Sequence, residues 1–322
     1  MLIILLFLTA CSGVREEEMS LEDEDGKKEE ASEQQESEGV ESEKGEGPAE
    51  EVKDDEENEV TTGDEKKAEE DKKADDDPKE KATMVLSLEE IQERYKGQSP
   101  EEWGENITGV KTRINTEAKI VALTFDACGG PNGRGYDEAL IAYLIDKNIP
   151  ATLFISGDWM EHHPDRVAAL WENPNFDIAN HGKDHKPLSV SGQSAYGIPG
   201  TASVEEVYQE VYQNHVKIKE LTGHTSKFFR SGTAYYDEVA AKIVEDLGEI
   251  PVNYNVLGDA GATFTATQIQ DSMIQANEGS IMLFHMNHPD SDVAKGVQMG
   301  VEALLEEGFE FVLLRDYIEE LQ

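Results

Sequence analysis

A chain of 322 residues is long enough for one large domain or two modest ones, and its formal net charge of −41 is extreme. Such an acidic balance argues against nucleic-acid binding, which calls for a basic footprint, and leaves neutral or cationic partners easier to reconcile with the chain. Two cysteines, Cys11 and Cys128, exclude a disulfide framework, and one usable thiol in the body of the chain argues against a zinc–thiolate site.

In chain order, Met1 to Cys11 is an apolar run ending Leu8-Thr9-Ala10-Cys11. It resembles a bacterial lipoprotein signal, in which the Cys becomes the lipidated first residue of the mature protein. The run is too short to span a bilayer, which takes about 20 apolar residues. The expectation is an extracytoplasmic protein anchored to the cell membrane by a lipid on Cys11. Residues 12–82 carry 31 acidic and 11 basic side chains, a net −20, with almost no aromatic residues. That composition cannot bury enough apolar surface to offset the entropy of ordering, so a disordered acidic linker is expected there, acting as a spacer.

Residues 83–114 read as an N-terminal extension packed on the body that follows. Ser87 and Glu90 form a capping-box pattern at the start of a short helix. Pro100–Trp103 is expected to be a helical turn and Val110–Ile114 an outer strand. From there strands and helices alternate. The strands expected are Ile120–Asp126, Ala151–Ser156, Phe176–Asn180, Phe228–Arg230, Val252–Val256, Ile281–His285 and Phe309–Leu314. The helices between them are Tyr136–Lys147, Trp159–Trp171, Ser203–Leu221, Tyr235–Leu247, Ala266–Gln275 and Val293–Glu307, with a last one over Arg315–Leu321. Seven β/α units imply a parallel α/β arrangement, a closed barrel or a doubly wound sheet.

Polar residues gather at the strand ends, where α/β folds place chemistry. Asp126 ends the run Ile120–Phe125, either as a base or as a loop cap. His181 and His185, four apart, can converge on one metal ion or simply face water. Arg230 suits a carboxylate partner, at a site or in a structural ion pair. His285 closes a buried strand and is better placed for acid–base work than for packing. His288 could substitute for it or face solvent, and His162, His163, His215 and His224 read as surface residues. An acid, an HxxxH pair, an Arg and a His at four strand ends describe a hydrolytic site.

With these motifs, TFDA at Thr124–Ala127, NHGKDH at Asn180–His185, FFRSG at Phe228–Gly232 and IMLFH at Ile281–His285, the chain resembles the polysaccharide deacetylase family (carbohydrate esterase family 4) over residues 115–322. The resemblance implies a distorted (β/α)7 barrel that removes N- or O-acetyl groups from sugars. It makes Asp126 the general base, His181 and His185 ligands of a divalent metal, zinc first, and Arg230 the group that holds Asp126. It makes His285 the acid that protonates the leaving amine, and Asp259 the residue that orients His285.

Three features depart from the family pattern. Ala127 stands where metal-dependent members have a second, metal-ligating Asp, which leaves two imidazoles as protein ligands. Ser231-Gly232 replaces a proline-rich motif, so the oxyanion donor expected near Thr233 is open. A groove-lining Trp beside Asp259 is missing, with Trp159 and Tyr235 each a candidate either for stacking on a sugar or for the core. The substrate expected is a polysaccharide, peptidoglycan or a chitin-like N-acetylglucosamine polymer. Two other readings share the fold: a non-catalytic glycan-binding lipoprotein, favoured by Ala127 and opposed by Asp126, Arg230 and His285 together, and an amidase acting on a non-sugar substrate. Cys128 shows no His–Cys pairing pattern of a nucleophile.

Overall fold

The structure, a computed structural model, describes residues 85–322. The signal over 1–11 and the acidic linker over 12–82 lie outside the described residues.

The chain opens with α1 (Leu88–Arg94), where Ser87 and Glu90 complete the capping box. Ile91 and Tyr95 pack with Val207, Val211 and Ile243. The helical turn expected over Pro100–Trp103 does not form: residues 100–102 are irregular and Trp103 opens a two-residue strand, β1 (Trp103–Gly104). Residues 111–114 form no strand: Lys111, Arg113 and Ile114 make isolated bridges to Val252, Ser280 and Leu321. The partner changes at each step, so no ladder builds.

β/α units follow: β2 (Ile120–Ala127), α2 (Glu138–Asp146), β3 (Ala151–Ile155), α3 (Gly157–His162), α4 (Pro164–Glu172), β4 (Phe176–Asn180), α5 (Val204–Thr222) and β5 (Phe228–Phe229). Next come β6 (Tyr236–Asp237), which pairs with β1, then α6 (Glu238–Asp246), β7 (Ile250–Pro251), β8 (Val256–Leu257), α7 (Ala266–Met273), β9 (Ser280–His285), α8 (Val293–Glu306) and β10 (Glu310–Phe311). The helix expected over Trp159–Trp171 is two helices, because His163 precedes Pro164 and proline disfavours helical geometry in the residue before it. The final helix is a 3₁₀ segment, Leu314–Glu320.

The main sheet is wholly parallel, in the order β7-β5-β4-β3-β2-β9-β8, with β10 added beside the start of β2. This is the curled, distorted (β/α)7 barrel expected. The single strand read over Val252–Val256 is in fact its two edges. β7 ends at Pro251, and after four intervening residues β8 begins at the opposite end of the strand order.

All eight residues of β2 are buried, and they face two ways. Val121, Leu123, Phe125 and Ala127 pack with Leu140 and Leu144 of α2 and Val297 and Val301 of α8. Ile120 and Ala122 pack with Phe154, Phe228 and Ile281 inside the barrel. The alternation follows from the period of two along a strand. Among the described residues no helix is long and apolar enough to cross a membrane.

Candidate active site

Strand register brings the polar residues to one level. Asp126 pairs with His285 on β9, Ile155 with Asn180 on β4, and Asn180 with Phe229 on β5. His181 and Arg230 are the residues directly after Asn180 and Phe229. The C-terminal edge of the sheet therefore collects Asp126, His181, Arg230 and His285. A cavity of about 560 Å³ opens there, lined by Asp126, Cys128, His185 and His285 with Tyr196 and Leu257.

Arg230 is fully buried. Its Nη1 donates to Asp126 Oδ1 at 2.8 Å and to Thr124 Oγ1 at 2.9 Å. Its Nε and Nη2 donate to the Val252 and Asn253 carbonyls, both at 3.2 Å, and the guanidinium lies 4.1 Å from the Phe154 ring centroid. Every direction of the fork is used, which pins the Asp126 carboxyl. Burial pushes the Asp126 pKa up, but the neighbouring His181, Arg230 and His285 outweigh it and hold the group below the usual carboxylate range.

On the other side, His285 Nδ1 donates to Asp259 Oδ1 at 2.9 Å, and the His285 backbone N–H donates to Asp259 Oδ2 at 2.6 Å. Asp259 is completely buried, so both ring tautomer and ring orientation are set from behind. Burial alone would lower the His285 pKa; the carboxylate of Asp259 and the Cys128 thiolate raise it well above 6.5. An ionised carboxylate and a protonated imidazole thus stand side by side at neutral pH. His288, half-buried with its ring 6.4 Å from His285, has no such carboxylate partner: the Asp259 bonds go to His285.

His181 is buried, and its Nδ1 donates to the Arg230 carbonyl at 3.0 Å. A carbonyl only accepts, so Nδ1 carries the proton and Nε2 offers its lone pair. Nε2 lies 3.5 Å from Asp126 Oδ2 and 3.8 Å from Cys128 Sγ. His185 sits edge-on to His181, with ring centroids 4.9 Å apart, and its Nε2 is buried without a partner. Ligand atoms of Cys128, His181 and His185 all lie within 4.8 Å of one another. The two expected ligands are therefore brought together, and the donor set fits a divalent ion of the zinc type. The thiol set aside on composition is the third member of the group. Its pKa is pulled down to about 7: burial raises it, but the His185 and His285 imidazoles overcome that.

The His181–Lys186 loop is held from α5. Buried Glu210 accepts the Asp184 N–H at 3.0 and 3.1 Å and the Lys186 N–H at 3.1 Å. Asn180 Oδ1 accepts the Gly182 N–H and the Asn214 side chain, and the Asn180 amide donates to Glu249 at 2.8 Å. His215, expected at the surface, is buried and bonds Glu249 at 2.8 Å. His224 is likewise covered, stacked on Trp171 at 4.1 Å. The clue was available in the sequence: Glu210, Asn214 and His215 share the α5 stripe of Val207, Val211 and Ile218, where polar residues need buried partners. Ser231-Gly232 also finds a reason. A Cβ at Gly232 would lie 2.2 Å from the His185 carbonyl carbon, so this close approach needs glycine.

Trp159 is fully buried, its Nε1–H donating to the Gly135 carbonyl at 2.8 Å, so it cannot stack on a sugar. Tyr235 is half-buried between Trp103 and Tyr196. The apolar surface at the cavity belongs to Tyr196, 74% exposed, and Leu257, 42% exposed. Thr233 lines the cavity with Oγ1 buried and unpartnered.

Residues 113–250 match the family model described as polysaccharide deacetylase. Among curated proteins, the chain is 24% identical over 231 residues, 68% of its length and 79% of the relative's, to an uncharacterised 30.6 kDa protein in the fumA 3' region of Geobacillus stearothermophilus. Among solved structures, BA3943, a carbohydrate esterase family 4 pseudoenzyme from Bacillus anthracis, aligns with a TM-score of 0.56 at 18% identity, over 67% of this chain and 71% of that one. The Bc1960 peptidoglycan N-acetylglucosamine deacetylase aligns with a TM-score of 0.54 at 20% identity, over 64% and 91%. The family match stops before Asp259 and His285, which the fold alone brings to the site. The family match thus covers less than half of the chain, and the solved structures share its fold.

Proposed function

We propose that the protein is a hydrolase that removes N-acetyl groups from a cell-envelope polysaccharide, with peptidoglycan as the substrate. The observation that carries this is the pairing of Asp126 and His285 in adjacent register at one cavity, the first kept ionised and the second kept protonated. An amide hydrolysis needs both at once: a base to take a proton from the attacking water and an acid to give one to the departing amine. Asp126, fixed by Arg230, takes the proton; His285, fixed by Asp259, supplies the other. A divalent ion held by His181 and His185 supplies, when bound, polarisation of the acetyl carbonyl. Tyr196 and Leu257 offer the apolar face for a sugar ring.

The choice of peptidoglycan leans on the signal-like Leu8–Cys11 and the linker over 12–82, which would tether the domain outside the membrane and near the wall. It is consistent with what Bc1960 is described as acting on. The test is acetate release by the full chain from peptidoglycan and from acetylated chito-oligosaccharide, with and without chelator, beside Asp126→Asn. Release that disappears in Asp126→Asn supports the reading. Binding of both glycans without any release would replace it with the glycan-binding module that Ala127 favours.

A further inference from the structure

The family pattern asks for a carboxylate at position 127, and this chain places Ala127 there, facing the helix layer with Phe125 and Leu123. The next residue on the side of Asp126 is Cys128, because side chains two apart along an extended strand share a face. Its backbone is fixed: the carbonyl accepts the Ser156 hydroxyl at 2.8 Å, and Gly129 turns away at φ +80°. A Cβ at Gly129 would lie 2.6 Å from Asp158 Oδ2, so the turn that aims Cys128 depends on glycine.

Around the thiol the imidazole nitrogens converge. His181 Nε2, a bare lone pair in a buried ring, points toward a thiol sulfur at 3.8 Å and a carboxylate oxygen at 3.5 Å. His185 is half-buried, and its Nε2, shielded from solvent, has no hydrogen-bond partner. Around a tetrahedral ion with metal–sulfur bonds of about 2.3 Å and metal–nitrogen bonds of about 2.0 Å, ligand atoms lie roughly 3.3–3.6 Å apart. The observed 3.8 Å between Cys128 and His181, and the 4.8 Å bound on the whole set, require the ligand atoms to draw together by at most about 1.5 Å. Arg230 holds Asp126 through Oδ1, and Asp126 Oδ2, 3.5 Å from His181 Nε2, borders the Cys128-His181-His185 group.

We propose that Cys128 is the third protein ligand of a divalent-metal centre completed by His181 and His185, a Cys-His-His thiolate site selective for zinc or cobalt over magnesium and calcium. The sulfur sets the selectivity, because oxygen-seeking ions do not favour thiolate and imidazole donors. Three protein ligands also leave one position open, as in catalytic rather than structural zinc sites. The role of the centre rests on the deacetylase reading; its existence does not.

The test titrates the metal-free full chain with Co²⁺ alone and records the near-ultraviolet thiolate-to-cobalt charge-transfer band. The expected result is a band that saturates at one equivalent, is erased by Zn²⁺ and is indifferent to Mg²⁺. Cys128→Ser should lose the band and bind Co²⁺ at least 10- to 100-fold more weakly, the range that even supporting residues of a metal site command. Cys128→Asp should bind without the band, a control for folding and for a carboxylate in the same place. In the unaltered chain, Zn²⁺ should slow alkylation of Cys128, mapped by peptide so that Cys11 is scored apart. Failure of Co²⁺ to bind, binding without the band, or an equal band in Cys128→Ser would each overturn the proposal. A band with no acetate release would leave a metal centre on a protein that is not a deacetylase. Acetate release with no band would leave the deacetylase and remove Cys128 from its metal site.

Discussion

Replacing Arg230 by Met tests the feature on which the candidate base depends. The variant keeps the volume of the stem but removes a buried guanidinium that serves Asp126, Thr124 and two backbone carbonyls. Breaking a buried ion pair from one side costs about 3–5 kcal/mol, because the partner charge stays buried and uncompensated. Each of the Val252 and Asn253 carbonyls left without its donor adds about 1 kcal/mol. Asp126→Asn removes the other charge but keeps an oxygen that can accept from Nη1, so the guanidinium loses its counter-charge and not its other three acceptors. The double variant removes both charges at once, so it should be more stable than the two single losses added together, by about 2 kcal/mol or more. Urea unfolding followed by fluorescence of the three tryptophans measures the cycle. Additivity within about 0.5 kcal/mol would refute the reasoning, since it would mean that Asp126 is not a charge held by Arg230. In activity, Arg230→Met should behave much like Asp126→Asn near neutral pH, because without the guanidinium burial raises the carboxyl pKa and protonates the base.

Three further outcomes follow from the same geometry. His285→Gln should lower kcat by about 10²–10⁴-fold, and the alkaline limb of the pH–rate profile should mark loss of the His285 proton. Because its folded pKa is raised, the acid form persists through neutrality and is lost only above it; Asp259→Asn should move that limb toward lower pH. Ala127→Asp, the substitution that would restore the family's usual residue, should not create a ligand here: a carboxylate aimed into the cluster of Leu140 and Val297 should cost about 3 kcal/mol or more in urea unfolding, and Co²⁺ affinity should not improve. The share of stability contributed by Glu210 and Asp177 should rise as pH falls from 8 to 6, while the Cys128 thiol, lowered to about 7, works in the opposite direction, so the readout is the difference from Glu210→Gln. Burial raises Glu210 to about 7 and Asp177 to about 6, so the folded state holds protons that the unfolded chain gives up above its ordinary carboxylate pKa. Glu210 alone contributes about 1 kcal/mol over that interval, so the change in melting temperature from pH 8 to 6 should be more positive by a few degrees in the unaltered chain than in Glu210→Gln; an equal change in both would contradict it.

Much of this protein was legible in the order of its residues. Ile120–Phe125, Ala151–Ile155 and Ile281–Phe284 are apolar runs that can only be satisfied when covered on both faces. Helical stripes between such runs force parallel strands, and parallel strands place their C-terminal ends together. Asp126, His181, Arg230 and His285 end up at one level for that reason, and each was readable as a strand-end residue. Where the sequence reading failed, the deciding quantity was a distance between residues remote in the chain. The two edges β7 and β8 look like one strand until their partners are known. Trp159 and His215 sit on helices whose exposed and covered faces depend on what packs against them, and packing made both core. Cys128 carries no local pattern of a ligand. Its position is decided by the alternation that turns Ala127 toward the helices and brings the thiol round to the imidazoles of a loop some fifty residues later. Periodicity along the chain sets which side a residue faces; only the packed structure decides what it meets there.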